Sequence, residues 1–127
     1  MARYVDTNIL VRLMTNDVPE LAQQAIAQVK KARPGELIIL DAILVELFFV
    51  LEANPHYKFP RDKSAVVFTG ILSIPQFKIS EQAKEAFGLF KVHRKLDFMD
   101  CLLIIAAGSD PQAIVSFDKD LLKTASV

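Results

Sequence analysis

With 127 residues the chain is long enough for one domain with a real core and too short for two, so a single domain over residues 1–127 is expected. Lys plus Arg and Asp plus Glu each number 15, which removes any whole-molecule field that would draw the protein onto nucleic acid or anionic lipid and leaves such binding to local patches. A hydrophobic fraction of 52% and a mean hydropathy of +0.30 exceed what one small core readily hides, and an oligomer is the natural outlet.

Arg3-Tyr4-Val5 is short and β-rich, and Met1-Ala2-Arg3 leads straight into it rather than into a signal peptide. Asp6-Thr7-Asn8 then supplies cap-type residues before the amphipathic Ile9 to Met14. Pro19 opens a helix to Lys31 with Leu21, Ala25, Ile26 and Val29 on one face, closed by Pro34-Gly35. Leu37 to Leu40 is fully apolar, as in a parallel strand covered on both sides. Asp41 is placed to cap a helix from Ala42 to about Ala53, stopped by Asn54-Pro55. The longest apolar stretch, Ile43 to Leu51, lies in this helix; it is too short to span a bilayer and is interrupted by Glu46. Pro60 begins a further helix, roughly Arg61 to Leu72. Phe77-Lys78-Ile79 reads as a strand, Ser80 as the cap of a helix to about Lys91, and Asp97 as the cap of one running to Ala107. Ala113 to Ser116 reads as a last strand, followed by a short helix over Asp118 to Leu122. The lone Cys101 excludes an intrachain disulfide and a thiolate zinc site, in keeping with a reducing, cytoplasmic setting.

Strands alternating with helices, without hairpin signals, argue for an α/β fold on a doubly wound parallel sheet, whose ligands sit beyond the carboxyl ends of the strands. Asp6 follows the first strand and Asp118 the last. Glu46 is the one charged residue between Ala42 and Leu51, an isolated carboxylate that is costly unless paired. Asp97 and Asp100 stand three apart at a helix start. Convergence of Asp6, Glu46, Asp100 and Asp118 implies a divalent cation, since carboxylate oxygens are the hard ligands that Mg²⁺ and Mn²⁺ prefer. Such an ion activates water and neutralises charge on a phosphodiester transition state.

Each acid also has a structural role open to it. Asp6 serves as a helix initiator, Asp97 and Asp100 as a cap and its reciprocal partner, Asp118 and Asp120 as acids at a helix N-terminus, and Glu46 as the partner of an arginine such as Arg12. Cys101 reads as a small buried apolar residue, since nothing near His56 or His93 marks a triad. The polar stretches around Lys58 and Arg61 and around Lys91, Arg94 and Lys95 are either solvated helix ends or a phosphate-contacting RNA rim, with Tyr57 or Phe59 available for base stacking.

Asp6-Thr7-Asn8 after an N-terminal strand, the lone Glu46, Phe98 to Ala106 around Asp100, and Val115-Ser116-Phe117-Asp118-Lys119-Asp120-Leu121 resemble the four acidic motifs of PIN-domain ribonucleases. In size and order they are most similar to the toxins of VapBC-type toxin–antitoxin modules. The resemblance spans nearly the whole chain. It implies a three-layer α/β/α PIN-like fold with a central parallel sheet, Mg²⁺- or Mn²⁺-dependent endoribonuclease activity, a homodimer, and a small antitoxin partner that occludes the active site. It also implies that Asp6, Glu46, Asp100 and Asp118 are the metal-site acids, that Asn8 and Ser116 support them by hydrogen bonds, and that Asp97 and Asp120 stand in reserve. One departure is that family members commonly continue into a further edge strand, whereas the sequence stops at Thr124-Ala125-Ser126-Val127. Other readings are an RNA-processing PIN nuclease without an antitoxin and a binding module without turnover. A phosphoacceptor receiver domain lacks its acceptor Asp and following Lys here. A phosphatase would want Asp-x-Asp, where this chain has Asp6-Thr7-Asn8.

Overall fold

A computed structural model describes residues 1–126; Val127, the end of the expected domain, lies outside the described residues. The chain forms two compact units, Met1–Ile79 and a second beginning at Ser80.

The first unit holds the sheet. Strands β1 (Arg3–Tyr4), β2 (Leu37–Ile38) and β3 (Phe77–Lys78) pair in the order β1-β2-β3, all parallel, with Arg3 opposite Leu37 and Leu37 opposite Phe77. Hydrogen bonds extend the pairing beyond these short spans: Val5 N–H donates to Ile38 O and Ile39 N–H to Lys78 O, at 2.9 and 3.0 Å. Parallel neighbours need a long crossover. Here each crossover is a pair of helices, α1 (Thr7–Thr15) with α2 (Pro19–Lys31), then α3 (Asp41–Ala53) with α4 (Arg61–Leu72). Asn16 ends α1 in the left-handed region, at φ 52°, a conformation asparagine tolerates better than most residues. Helix α1 packs on α2 and α3, and α3 on α4, where Phe48 and Phe68 stack at 5.6 Å.

Two details of this unit differ from the sequence expectation. Leu40, not Asp41, is the N-cap of α3, and Asp41 is its first helical residue, where its charge favours the helix dipole. The buried face of α2 is Ala22, Ala25 and Val29, with Leu21 exposed and Ile26 half-buried, because small side chains let α2 lie close to its neighbour.

The second unit contains α5 (Glu81–Val92), α6 (Phe98–Ala106) and α7 (Lys119–Ala125), with α5 packed on α6 and α6 on α7. Phe90 sits between Phe87 and Phe98, 6.3 and 6.2 Å away. The strand expected over residues 113–116 is not formed. Pro111 starts a single turn of 3₁₀ helix, Pro111–Ala113, capped by Asp110, and the turn consumes Ala113. Ile114 beyond it is extended in backbone, at φ −116° and ψ 126°, but joins no ladder among the described residues, and Val115 and Phe117 are fully exposed.

The aromatic surplus expected to drive oligomerisation is mostly internal. Phe48, Phe68, Phe87, Phe90 and Phe98 are buried, and of the six helical phenylalanines only Phe49 is exposed, at 71%. Among the described residues no helix is long and apolar enough to cross a membrane.

Candidate functional site

Asp6 and Glu46 are placed by the same edge of the sheet. Asp6 follows β1 directly and caps α1, with Oδ1 accepting the Thr7 N–H at 2.8 Å; Oδ2 has no partner among the described residues. Helix α3 starts just past β2, and Glu46 lies five residues in, about 7 Å along the helix axis. The sequence suggests a buried Glu46. The structure corrects this: Glu46 is exposed, on a face of α3 shared with Ala42, Phe49 and Ala53, and has no hydrogen-bond or ion-pair partner among the described residues. Arg12, its candidate structural partner, is engaged by Asp17 instead.

Asp97, Asp100 and Asp118 belong to the second unit. Asp97 is the N-cap of α6, accepting the Asp100 N–H at 2.8 Å, while Asp100 Oδ2 accepts the Asp97 N–H at 3.2 Å. That reciprocal capping box is one of the structural roles open from the sequence. Asp100 nevertheless differs from an ordinary cap. Its carboxyl is held above the usual carboxylate range, first by burial and then by the negative charges of Asp97 and Asp118, against the opposing backbone hydrogen bond from Asp97. Asp118 caps α7 by accepting the Leu121 N–H at 3.1 Å, and its own N–H donates to Ser116 Oγ at 2.9 Å. Ser116 thus supports the backbone of Asp118. Asp120 is exposed in the first turn of α7, and Asn8 is exposed on α1 without a side-chain partner among the described residues.

The basic residues expected at an RNA rim fall into two sets. Lys91, Arg94 and Lys95 lie at the end of α5 and in the turn before Asp97, with the Lys91 ammonium 5.0 Å above the Phe87 ring. Lys58 and Arg61 flank the start of α4 in the first unit. Tyr57 and Phe59 are already occupied. The Tyr57 hydroxyl donates to Asp17 at 2.6 Å, and the Lys63 ammonium covers the Phe59 ring at 4.0 Å.

Asp17 is the most heavily bonded acid described. It accepts from Arg12 Nη1 at 3.0 and 3.1 Å, from Thr15 Oγ1 at 2.9 Å and from Tyr57, with His56 Nε2 at 3.9 Å. The Tyr57 hydrogen bond leads in holding its carboxyl well below the usual range, and the same bond holds the Tyr57 phenol above its own. A cavity of about 460 Å³ between β1, α1 and α2 was also not expected; Asp6, Asn8, Arg12, Gln24 and Gln28 are among its lining residues. Its only sequence signal is the pair of glutamines one helical turn apart on the polar side of α2.

The model of one family, PIN domain, matches the chain over residues 3–127. The chain belongs to the PIN domain family. With that family come the α/β/α fold class expected from the sequence and, in general, nuclease activity on nucleic acid with the help of divalent metal ions. Comparison with curated proteins and with solved structures gives no match. The donor chemistry of this PIN domain suits such an ion. Asp6 and Glu46 hold carboxylate oxygens without partners, and Asp100 carries a mutual repulsion with Asp97 and Asp118 that a cation would relieve. Among the described residues, no group of three or more His, Cys, Asp or Glu side chains stands gathered as a metal-holding set. Asp6 and Glu46 belong to one compact unit and Asp97, Asp100 and Asp118 to the other, so their meeting at one ion is part of the proposal that follows.

Proposed function

We propose that residues 1–127 form one PIN domain that is a Mg²⁺- or Mn²⁺-dependent endoribonuclease, the toxin of a VapBC-type toxin–antitoxin pair. The observation that carries the reading is the family match over residues 3–127; the resemblance of the segments around Asp6, Glu46, Asp100 and Asp118 to acidic motifs of PIN-domain ribonucleases supports it. Asp6 and Asp100 are assigned as central ligands, with Glu46 and Asp118 bracing the ion or its waters and Asp97 and Asp120 in reserve. When bound, the ion supplies Lewis acidity toward a phosphodiester and the attacking water. The chain's own contribution is position. The helix N-termini of α1, α6 and α7 fix Asp6, Asp97, Asp100 and Asp118 through backbone N–H groups, so that the carboxylates need little rearrangement to meet charge. Ser116 holds the backbone of Asp118, Asn8 is assigned as a hydrogen-bonding support beside Asp6 once the site is loaded, and the acids' repulsion of phosphate is offset by Lys91, Arg94, Lys95, Lys58 and Arg61.

A C₂ homodimer and a small antitoxin belong to the same reading, supported by the exposed apolar side chains Phe49 on α3 and Val66 on α4, 71% and 70% accessible. A cytoplasmic location is consistent with Cys101 being the single cysteine of the sequence, in no disulfide.

The deciding experiment is cleavage of single-stranded RNA with Mn²⁺ or Mg²⁺ and with EDTA, by wild type, Asp6→Asn and Asp100→Asn. Cleavage by the wild type alone, abolished by EDTA and accompanied by a metal-dependent rise in Tm that both variants lose, is expected. Equal cleavage in EDTA, or variants that bind metal and cut like wild type, would overturn the reading.

A further inference from the structure

The cavity between β1, α1 and α2 is used by none of the steps above except through Asp6 at its wall. Its volume, about 460 Å³, falls within the roughly 300–1,000 Å³ of small-ligand sites. Its charge is informative. The two arginines that line it are each already engaged by a carboxylate, Arg3 Nε with Glu36 at 3.0 Å and Arg12 Nη1 with Asp17. Asp6 remains as an uncompensated negative charge. A compact anion such as free phosphate is therefore disfavoured, and a neutral polar ligand is not.

The donors and acceptors narrow the class further. Gln24 and Gln28 are four residues apart on one face of α2, Asn8 comes from α1, and each amide offers both a donor and an acceptor. Arg12 Nε is buried without a hydrogen-bond partner among the described residues, a charged donor that lacks an acceptor. Ile9, Leu21 and Val29 supply an apolar wall, and Tyr4, 68% exposed, stands at the β1 side. Amides and a guanidinium N–H beside an apolar surface and an exposed aromatic ring are what reads the edge of a planar heterocycle and stacks on its face.

We propose that this cavity binds one unstacked nucleobase of a single-stranded RNA substrate and so sets the base preference beside Asp6. The choice of RNA as the source of the base rests on the nuclease reading; the base-binding chemistry does not. The experiment measures binding of 12-nucleotide oligo(A), oligo(C), oligo(G) and oligo(U) by fluorescence anisotropy in EDTA, with competition by the free nucleosides and by inorganic phosphate. Wild type is expected to favour one base by about tenfold or more, the value of a single bidentate contact, and the matching nucleoside is expected to compete. Gln24→Leu/Gln28→Leu, at two exposed positions, should level the four affinities while leaving the Mn²⁺-dependent Tm shift in place. Equal affinities in wild type, selectivity that survives the double substitution, or competition by phosphate and not by nucleoside would each overturn the proposal. Mn²⁺-dependent cleavage without base selectivity would sink the pocket and spare the nuclease; selective binding in EDTA without cleavage in Mn²⁺ would do the reverse.

Discussion

Asp17 and Asp100 are carboxylates on opposite sides of the ordinary pKa, and they give the protein opposite responses to acid. Asp17 is depressed by Tyr57, Thr15 and Arg12, so its stabilising contribution is complete above the unfolded carboxylate value near 3.9 and is lost as pH falls through the lower folded value. Asp17→Asn is expected to lower Tm at pH 7, with the gap to wild type closing below about pH 4 in a pH series of thermal melts. Asp100 is raised by burial and by two neighbouring acids, so it costs stability above its folded pKa, and the cost disappears as pH falls below the unfolded value. Asp100→Asn should therefore raise the Tm of the metal-free protein at pH 7 and leave it unchanged near pH 3; a lower Tm at neutral pH would show that the capping bond outweighs the repulsion. Asp100 was legible from its spacing to Asp97, and Asp17 was not singled out by any spacing. Their environments were not legible, because Tyr57 reaches Asp17 across 40 positions of chain and no local pattern encodes that meeting.

At the scale of elements, most helix boundaries were legible because side-chain oxygens mark them: Ser80 and Asp97 cap the helices they were expected to cap, Asp6 is the cap among Asp6-Thr7-Asn8, and Asp118, expected as the first residue of the last helix, is its N-cap. Asp97→Ala is expected to cost about 1 kcal/mol in urea denaturation, the usual value of a lost N-cap, and Asp97→Asn a smaller amount. Helix α3 was legible as a helix but not as a face. It is apolar nearly all round, so periodicity does not separate Phe48, buried beside Phe68, from Phe49, exposed about 100° round the helix. Phe48→Ala should cost about 3–5 kcal/mol and Phe49→Ser less than about 0.5 kcal/mol, measured by the same denaturation. The missing strand over residues 113–116 was illegible for a related reason: a short apolar run shows that a segment suits a strand, and not that it joins a ladder.

At the scale of the whole molecule, composition pointed to an oligomer through a surplus of apolar side chains, of which the helical phenylalanines turned out to be largely core. What supports self-association now is a smaller set, Phe49 with Val66. Sedimentation at micromolar concentration should show a dimer for wild type and a monomer for Phe49→Asp/Val66→Asp; a monomeric wild type would remove the homodimer from the proposed function. Net neutrality left RNA binding to local cations, and Arg94→Gln/Lys95→Gln is expected to weaken RNA binding and reduce the slope of affinity against salt concentration by about one to two, with metal affinity unchanged. The division of the chain between Ile79 and Ser80 has a further consequence, in the order of biosynthesis. Every strand of the sheet is translated before the first residue of α5, whereas Asp97, Asp100 and Asp118 follow seconds later, at about 5–20 residues per second. A nascent chain that has reached only Ile79 therefore carries Asp6 and Glu46 with none of their proposed co-ligands, and under the proposed function its chemistry waits until Asp118 has been added.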